Sequence, residues 1–312
     1  MARYGFQQTP IAIEGLKGRG WKKGASVVFR LPFTIVESAL VVRRFAPQTV
    51  IGMGGYSAGP VCLAARLLGI ATAVHEQNSY PGLTNRLLSR VVDKIFISFP
   101  ESATHFPAGE PILTGNPIRE DLLADKTREG ERKDGFTVLV LGGSQGARAV
   151  NRAVVAALKV LKKEGQEPMV IHQSGPTDHE EVAAAYRNHG LRGEVQPFIQ
   201  DMATAYHRAD LVVSRAGATT IFELALLGKP SILIPYPYAA NSHQETNALA
   251  LVRAGGAEMM LEDELNAERL AGLLLKYMDD RVALGQMGRK ALTIGRPDAA
   301  KRIVDQLETA FN

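Results

Sequence analysis

Ser214-Arg-Ala-Gly-Ala-Thr-Thr-Ile-Phe-Glu223 is the stretch that decides the fold of this chain. It follows an apolar run over 209–213 that reads as a buried parallel strand. It opens a helical pattern over 220–227 that stops at Gly228-Lys-Pro230. A strand, a turn of small residues and a helix N-terminus make an anion site, because free N–H groups and the positive end of the helix dipole converge on one point. Gly217 and Ala218 let a ligand come close to the backbone. Glu223 lies one turn inside the helix, where its carboxylate can accept hydrogen bonds from the hydroxyls of a sugar. Two more glycine-rich turns, Gly52-Met-Gly-Gly-Tyr-Ser-Ala-Gly-Pro60 and Gly142-Gly-Ser-Gln-Gly-Ala147, also follow apolar strands.

Outward from these turns, strand candidates fall at 49–52, 72–75, 94–98, 112–114, 137–141, 168–172, 193–196, 211–213 and 231–235. Helical patterns fill 61–68, 83–90, 147–162, 179–188, 201–208, 220–227, 245–253 and 266–278. The alternation predicts an α/β protein with parallel sheets. The charged stretch 122–135, nearly free of large apolar residues, is the expected domain boundary. The first half lacks the opening strand, glycine turn and helix of a doubly wound domain. Residues 8–13 offer one weak strand pattern, followed by a glycine-spaced basic segment.

The 312 residues favour two domains over one large one. A single cysteine, Cys62, excludes a disulfide framework and any multi-cysteine metal site, and points to a reducing compartment. There is no apolar run of membrane-spanning length and no signal-peptide pattern at Met1. The net charge of +4 is unevenly placed. Arg3, Lys17, Arg19, Lys22, Lys23, Arg30, Arg43 and Arg44 face only Glu14 and Glu37 within 1–44, which suggests an anionic partner surface. Trp21, Phe29 and Phe33 interleave with these charges, so the segment reads as an interfacial helix pressed into anionic lipid, or as a core helix with a solvated basic edge. Nucleic acid is a weaker partner for the same patch, since no nucleic-acid motif accompanies it.

Other polar clusters sit at strand ends, where open parallel sheets place ligands. The turn 142–147 is either a phosphate cradle using Ser144 and backbone N–H groups or a tight packing turn. His75 and Glu76, in His75-Glu-Gln-Asn78, are acid/base candidates, with a polar capping loop as the plainer alternative. Arg119, after Gly115-Asn-Pro-Ile, can pair with phosphate or be a solvated turn residue. Gln244 offers both a donor and an acceptor, suited to neighbouring sugar hydroxyls or to a helix cap. His172, His179, His189 and His207 read as surface or satisfied core residues. No H-E-x-x-H pattern occurs, and neither a metal nor another cofactor is expected.

Together these motifs resemble the MurG family, the undecaprenyldiphospho-muramoylpentapeptide β-N-acetylglucosaminyltransferases of bacterial cell-wall synthesis. The resemblance runs through 52–60, 75–78 with Gly82-Leu-Thr-Asn85, 115–119, 142–146, His172-Gln-Ser-Gly175, Phe198-Ile-Gln-Asp-Met202, 214–223, 244–247 and Pro297-Asp-Ala299. It implies a GT-B fold: two Rossmann-like doubly wound domains with the active site in the cleft. The expected acceptor and membrane-side domain is 1–122, the donor domain is 136–294, and 295–312 is a C-terminal helix packing back on the first domain.

The implied reaction moves N-acetylglucosamine, with inversion, from UDP-N-acetylglucosamine to the C4 hydroxyl of the muramoyl sugar of lipid I, giving lipid II. The implied location is the cytoplasmic face of the bacterial inner membrane, held peripherally by Lys17, Arg19, Trp21, Lys22, Lys23, Phe29 and Arg30. Carried residue by residue, Asn78 resembles a donor-sugar contact, and Arg119 and Ser144 resemble contacts on the diphosphate side. Ile199 resembles the backbone contact to uracil. Ala218, Thr219 and Thr220 resemble the nucleotide-binding turn, with Glu223 on the ribose, and Gln244 resembles the reader of sugar hydroxyls. The family's opening Gly-Gly-Thr-Gly-Gly-His turn, whose His is a candidate base, is absent, so the first domain is expected to be incomplete. Two functional classes follow: an active glycosyltransferase, or a donor-binding remnant that transfers nothing. A UDP-sugar epimerase on the same fold is a third.

Overall fold

The computed structural model describes residues 8–11, 21–124, 135–143 and 146–311, with backbone only at 21–30, 123, 124 and 311. The chain forms two compact units, Met1–Gly115 with Ala300–Asn312, and Asn116–Ala299. The division therefore falls at Gly115, ahead of the charged stretch that the sequence suggested. The connection Asn116–Arg119 and the short helix that follows it belong to the second unit.

In the first unit, α1 (Trp21–Phe45) leads to β1 (Thr49–Gly52), α2 (Ala58–Leu67), β2 (Ala71–Glu76), α3 (Leu83–Leu88), β3 (Lys94–Ile97) and β4 (Pro111–Leu113). The strands pair in parallel in the order β1-β2-β3-β4. Residues 8–11 form no strand, so the weak pattern there is not realised over those residues. Cys62, Val74, Ile95, Ile97 and Phe106 fill one side of the sheet. On the other side Ala73 and Phe96 pack with Ile303 of the chain's last helix, Ala299–Phe311. Helix α1 buries Thr34, Ser38 and Val42, four residues apart, and contacts α2. It leaves Phe33, Val36 and Leu40 exposed as a second stripe.

The second unit runs through α4 (Glu120–Ala124), β5 (Thr137–Leu141), α5 (Arg148–Lys163), β6 (Met169–Gln173), α6 (His179–His189), β7 (Gly193–Gln196) and α7 (Met202–Arg208). It continues with β8 (Leu211–Ser214), α8 (Ala218–Leu227), β9 (Ser231–Leu233), α9 (His243–Arg253), β10 (Ala257–Met259), α10 (Ala267–Asp279) and α11 (Arg281–Leu292). All strands are parallel, in the order β10-β9-β8-β5-β6-β7. The order reverses at β5: the chain builds β6 and β7 on one side, then returns to lay β8, β9 and β10 on the other. In open parallel sheets the crevice at the carboxyl ends of such a pair is where ligands bind. Strand β5 is buried along its whole length, as an apolar run covered on both faces must be. Val138, Val140, Val150, Val154, Leu158, Val213, Leu270 and Leu274 are core residues of the cluster on one side.

Candidate active site

Two turns flank the reversal point. The one after β5 needs its glycines. A Cβ on Gly142 would stand 2.6 Å from the Ala147 backbone nitrogen, and Gly146 has a φ of +81°. Gly143 O accepts from Gln173 Nε2 at 3.0 Å, and Gln173 Oε1 accepts from the backbone N–H of Ile199 at 3.0 Å. Gln173 thus ties the β5 turn to the loop carrying Ile199, which is itself buried. Ser144 lies outside the described residues.

Beneath this turn is a closed polar network. Asn151, in the first turn of α5, donates through Nδ2 to Ser174 O at 2.9 Å and to Asp178 at 3.1 Å. Its Oδ1 lies 3.0 Å from His172 Nε2, and His172 Nδ1 lies 3.1 Å from Tyr186 Oη. Since Asn151 Oδ1 can only accept, His172 carries its proton on Nε2 and accepts from Tyr186 at Nδ1. Burial drives the His172 pKa down to about 3, so the ring is neutral and structural.

The turn after β8 is built differently. Gly217 at the head of α8 has extended backbone, and no side chain caps the helix. Ile221 N–H is the first to return to Gly217 O, so the N–H groups of Ala218, Thr219 and Thr220 have no partner within the helix. The turn is fixed from behind. Arg215 pairs with Glu262 and donates to Ile234 O at 3.2 Å and Pro235 O at 3.1 Å. Its guanidinium also lies over the ring of Tyr236 at 5.4 Å. Gln244 Oε1, from α9, accepts from both Ala216 N–H at 3.2 Å and Tyr236 N–H at 2.9 Å.

Glu223 projects from the same helix. Its Oε2 accepts from Tyr206 Oη at 2.8 Å. Burial raises the Glu223 pKa; the Tyr206 bond and the charge of Arg119 pull it down, and Asp121 pushes it up. Arg119 itself is half exposed and lies 3.6 Å from Asp121. Arg119, Ile199, Ala218–Thr220, Glu223 and Gln244 all belong to the second unit.

The polar loop after β2 belongs to the first unit and is closed. His75 is fully buried, with Nε2 3.0 Å from Gly115 O and Nδ1 3.3 Å from Gln77 Nε2. Desolvation lowers its pKa, partly offset by the Gly115 bond and the charge of Glu76. Glu76 is 2% exposed. Its Oε1 accepts from the N–H and Nδ2 of Asn78 at 3.0 and 3.2 Å, and its Oε2 from Gly82 N–H at 3.0 Å and Asn85 Nδ2 at 2.9 Å. The Glu76 carboxylate is thus taken up by the loop that carries Asn78, and His75 is held between Gly115 and Gln77. Among the described residues no group of three or more His, Cys, Asp and Glu could hold a metal ion. Lys17 and Arg19 lie outside the described residues. Trp21, Lys22, Lys23, Phe29 and Arg30 lie on α1 where only the backbone is described.

Two family models match the chain: the glycosyltransferase family 28 N-terminal domain over residues 1–97 and its C-terminal domain over 137–303. The UDP-N-acetylglucosamine--N-acetylmuramyl-(pentapeptide) pyrophosphoryl-undecaprenol N-acetylglucosamine transferase of Pelobacter propionicus is 43% identical, over 99% of this chain and 87% of its own length. That of Myxococcus xanthus is 44% identical over 96% of this chain and 79% of its own length. The crystal structure of Acinetobacter baumannii MurG matches with a TM-score of 0.75 and 35% identity, covering 95% of this chain and 83% of that one. This chain belongs to the MurG family.

Membership settles the choice between transferase and epimerase. A UDP-N-acetylglucosamine 2-epimerase described as putative, from Listeria monocytogenes, shares the fold at a TM-score of 0.70 but only 16% identity, over 97% of this chain and 82% of its own. Nothing in the comparisons favours a non-catalytic remnant. For this MurG-family chain, three residues with clear duties in the site had none assigned from sequence: Gln173, Arg215 and Tyr206. Gln173 stood within a recognised motif, and Arg215 within the opening stretch itself. Tyr206 gave no signal beyond an aromatic residue on a short helix.

Proposed function

We infer that this chain is the hexosyltransferase that moves N-acetylglucosamine from UDP-N-acetylglucosamine to lipid I, forming lipid II in peptidoglycan synthesis. The single observation that carries the reading within the structure is the uncapped N-terminus of α8 beside the sheet reversal, with Glu223 on the same helix. Open N–H groups at Ala218, Thr219 and Thr220 offer the diphosphate its donors and the favourable end of the helix dipole. Arg119, and Ser144 on the β5 turn, add to the stabilisation of negative charge as UDP leaves. Ile199 contacts uracil through its backbone, Glu223 the ribose, and Gln244 the sugar hydroxyls through Nε2, since its Oε1 is occupied by two backbone N–H groups. In the first unit, Asn78, steadied by Glu76, is the residue proposed for the donor sugar. His75 and Glu76 support this loop and do not serve as the base.

The protein works at an anionic membrane, at the cytoplasmic face. Supporting this, α1 exposes Phe33, Val36 and Leu40 on one stripe that continues into Arg43 and Arg44. No helix among the described residues is long and apolar enough to cross a membrane. The deciding experiment supplies labelled UDP-N-acetylglucosamine with and without a lipid I analogue. A disaccharide product with inverted linkage, formed only with acceptor, is expected. Donor binding without transfer would overturn the reading, and so would conversion of the donor to its 2-epimer without acceptor.

A further inference from the structure

Tyr206 is 1% exposed, the largest fully buried side chain among the described residues, and its hydroxyl is committed to Glu223. A buried phenol must find a partner for its hydroxyl, and here the partner is a side chain of the proposed donor site. The helix that carries it, α7, is anchored at its start by Asp201, which accepts from Thr204 N–H at 3.0 Å and Thr204 Oγ1 at 2.7 Å. Its far end feeds directly into β8 through Ala209, whose N–H returns to Tyr206 O at 3.2 Å. Tyr206 therefore sits in the last turn of the helix that leads into the strand before the nucleotide turn.

We propose that Tyr206 is a positioning residue for the donor. By bonding Oε2 of Glu223 it fixes the carboxylate rotamer and leaves Oε1 aimed at the ribose hydroxyls of a uridine diphosphate. A free Glu side chain would lose several rotamers on binding, and a locked one has already given up that entropy. The groups acting on this carboxylate come from three elements. Tyr206 on α7 and Arg119 just before α4 favour its charged form; Asp121 on α4 and desolvation by burial oppose it. The proposal rests on the reading of Glu223 as the ribose contact.

The test compares the full chain with Tyr206→Phe and Glu223→Ala, by calorimetry with UDP and with 2′,3′-dideoxy-UDP. Tyr206→Phe keeps the ring that fills the core, and a thermal melt checks its fold. The parent should prefer UDP by about tenfold or more, as expected for a hydrogen bond to a charged group. Tyr206→Phe should narrow that preference to about threefold or less, with donor KM raised and kcat kept within about twofold. Its donor kcat/KM should also fall off at a higher pH on acidification, because the phenol no longer helps to keep Glu223 ionised. If Glu223→Ala narrows the preference and Tyr206→Phe keeps it, the positioning role is wrong, and a lowered melting temperature with an unchanged preference says the same. If Glu223→Ala itself keeps the preference, the ribose reading fails and the proposal fails with it.

Discussion

Two glutamates, Glu76 buried and Glu223 half-buried, stand near strand-end loops of this chain, and they have opposite surroundings. Glu76, at the end of β2, accepts four hydrogen bonds from its own loop. Glu223, on α8, accepts one from Tyr206 and stands on a helix whose first N–H groups are uncapped. The first carboxylate is saturated and the second has capacity left. Polar density at a strand end therefore does not mark chemistry by itself; unspent hydrogen-bonding capacity does. The loop 75–78 is the denser of the two in the sequence, and the carboxylate of Glu76 within it is taken up by its own loop.

The strongest attempt to break this contrast is Glu76→Ala. Leaving four donors without their acceptor inside the first unit should cost about 3–5 kcal/mol of stability, measured by denaturant unfolding. Lost transfer with an unchanged unfolding midpoint would return Glu76 to catalysis. Glu223→Ala should weaken UDP binding by about 2 kcal/mol, with a smaller stability cost of about 1–3 kcal/mol from the stranded Tyr206 hydroxyl. Equal calorimetric affinity in variant and parent would remove Glu223 from the donor site.

The contrast sharpens at His172, a closed network beneath the open turns. Its folded pKa of about 3 lies below its unfolded value, so the unfolded chain binds the extra proton. That stability is intact above the ordinary histidine range and drains away as pH falls from about 6.5 towards 3. Between pH 7 and 5 the loss should be about 2 kcal/mol from this one group. His172→Gln should flatten that slope; an unchanged slope would show that the buried ring is not what titrates. The smallest effect is on the exposed α1 stripe. Reversing Arg43 and Arg44 should weaken sedimentation with anionic vesicles by about fivefold per charge, and less at high salt. Equal binding to neutral vesicles would argue against an electrostatic contribution.

Much of the architecture is readable because parallel strands buried on both faces are apolar runs, as at 137–141 and 211–214. The turn 214–218 is readable because small residues at a strand-to-helix junction have few other uses. What escapes the sequence depends on distant partners. Helix α11 contains Gly285 and Gly288, which weaken its helical signal. Yet a Cβ at Gly288 would stand 2.5 Å from Gly228 O at the end of α8, so the glycine is what lets the two elements touch. Strand β10 is three residues at a sheet edge, below the length at which alternation shows. The Gln173 bridge spans 26 residues to Ile199, and no local pattern announces it. The saturation of Glu76 depends on Gly82 and Asn85, which the sequence places in a neighbouring motif without saying which way their donors point.

Gln244 has one oxygen serving two masters, the N–H of Ala216 in the nucleotide turn and the N–H of Tyr236 in the loop after β9. On the proposed reading the other end of the same amide inspects the sugar. Holding and inspecting are thus inherited together. A substitution that alters sugar preference at this position also unlatches the segment that grips the diphosphate. Drift toward a different donor sugar must then begin elsewhere, or pass through variants that bind every nucleotide sugar poorly.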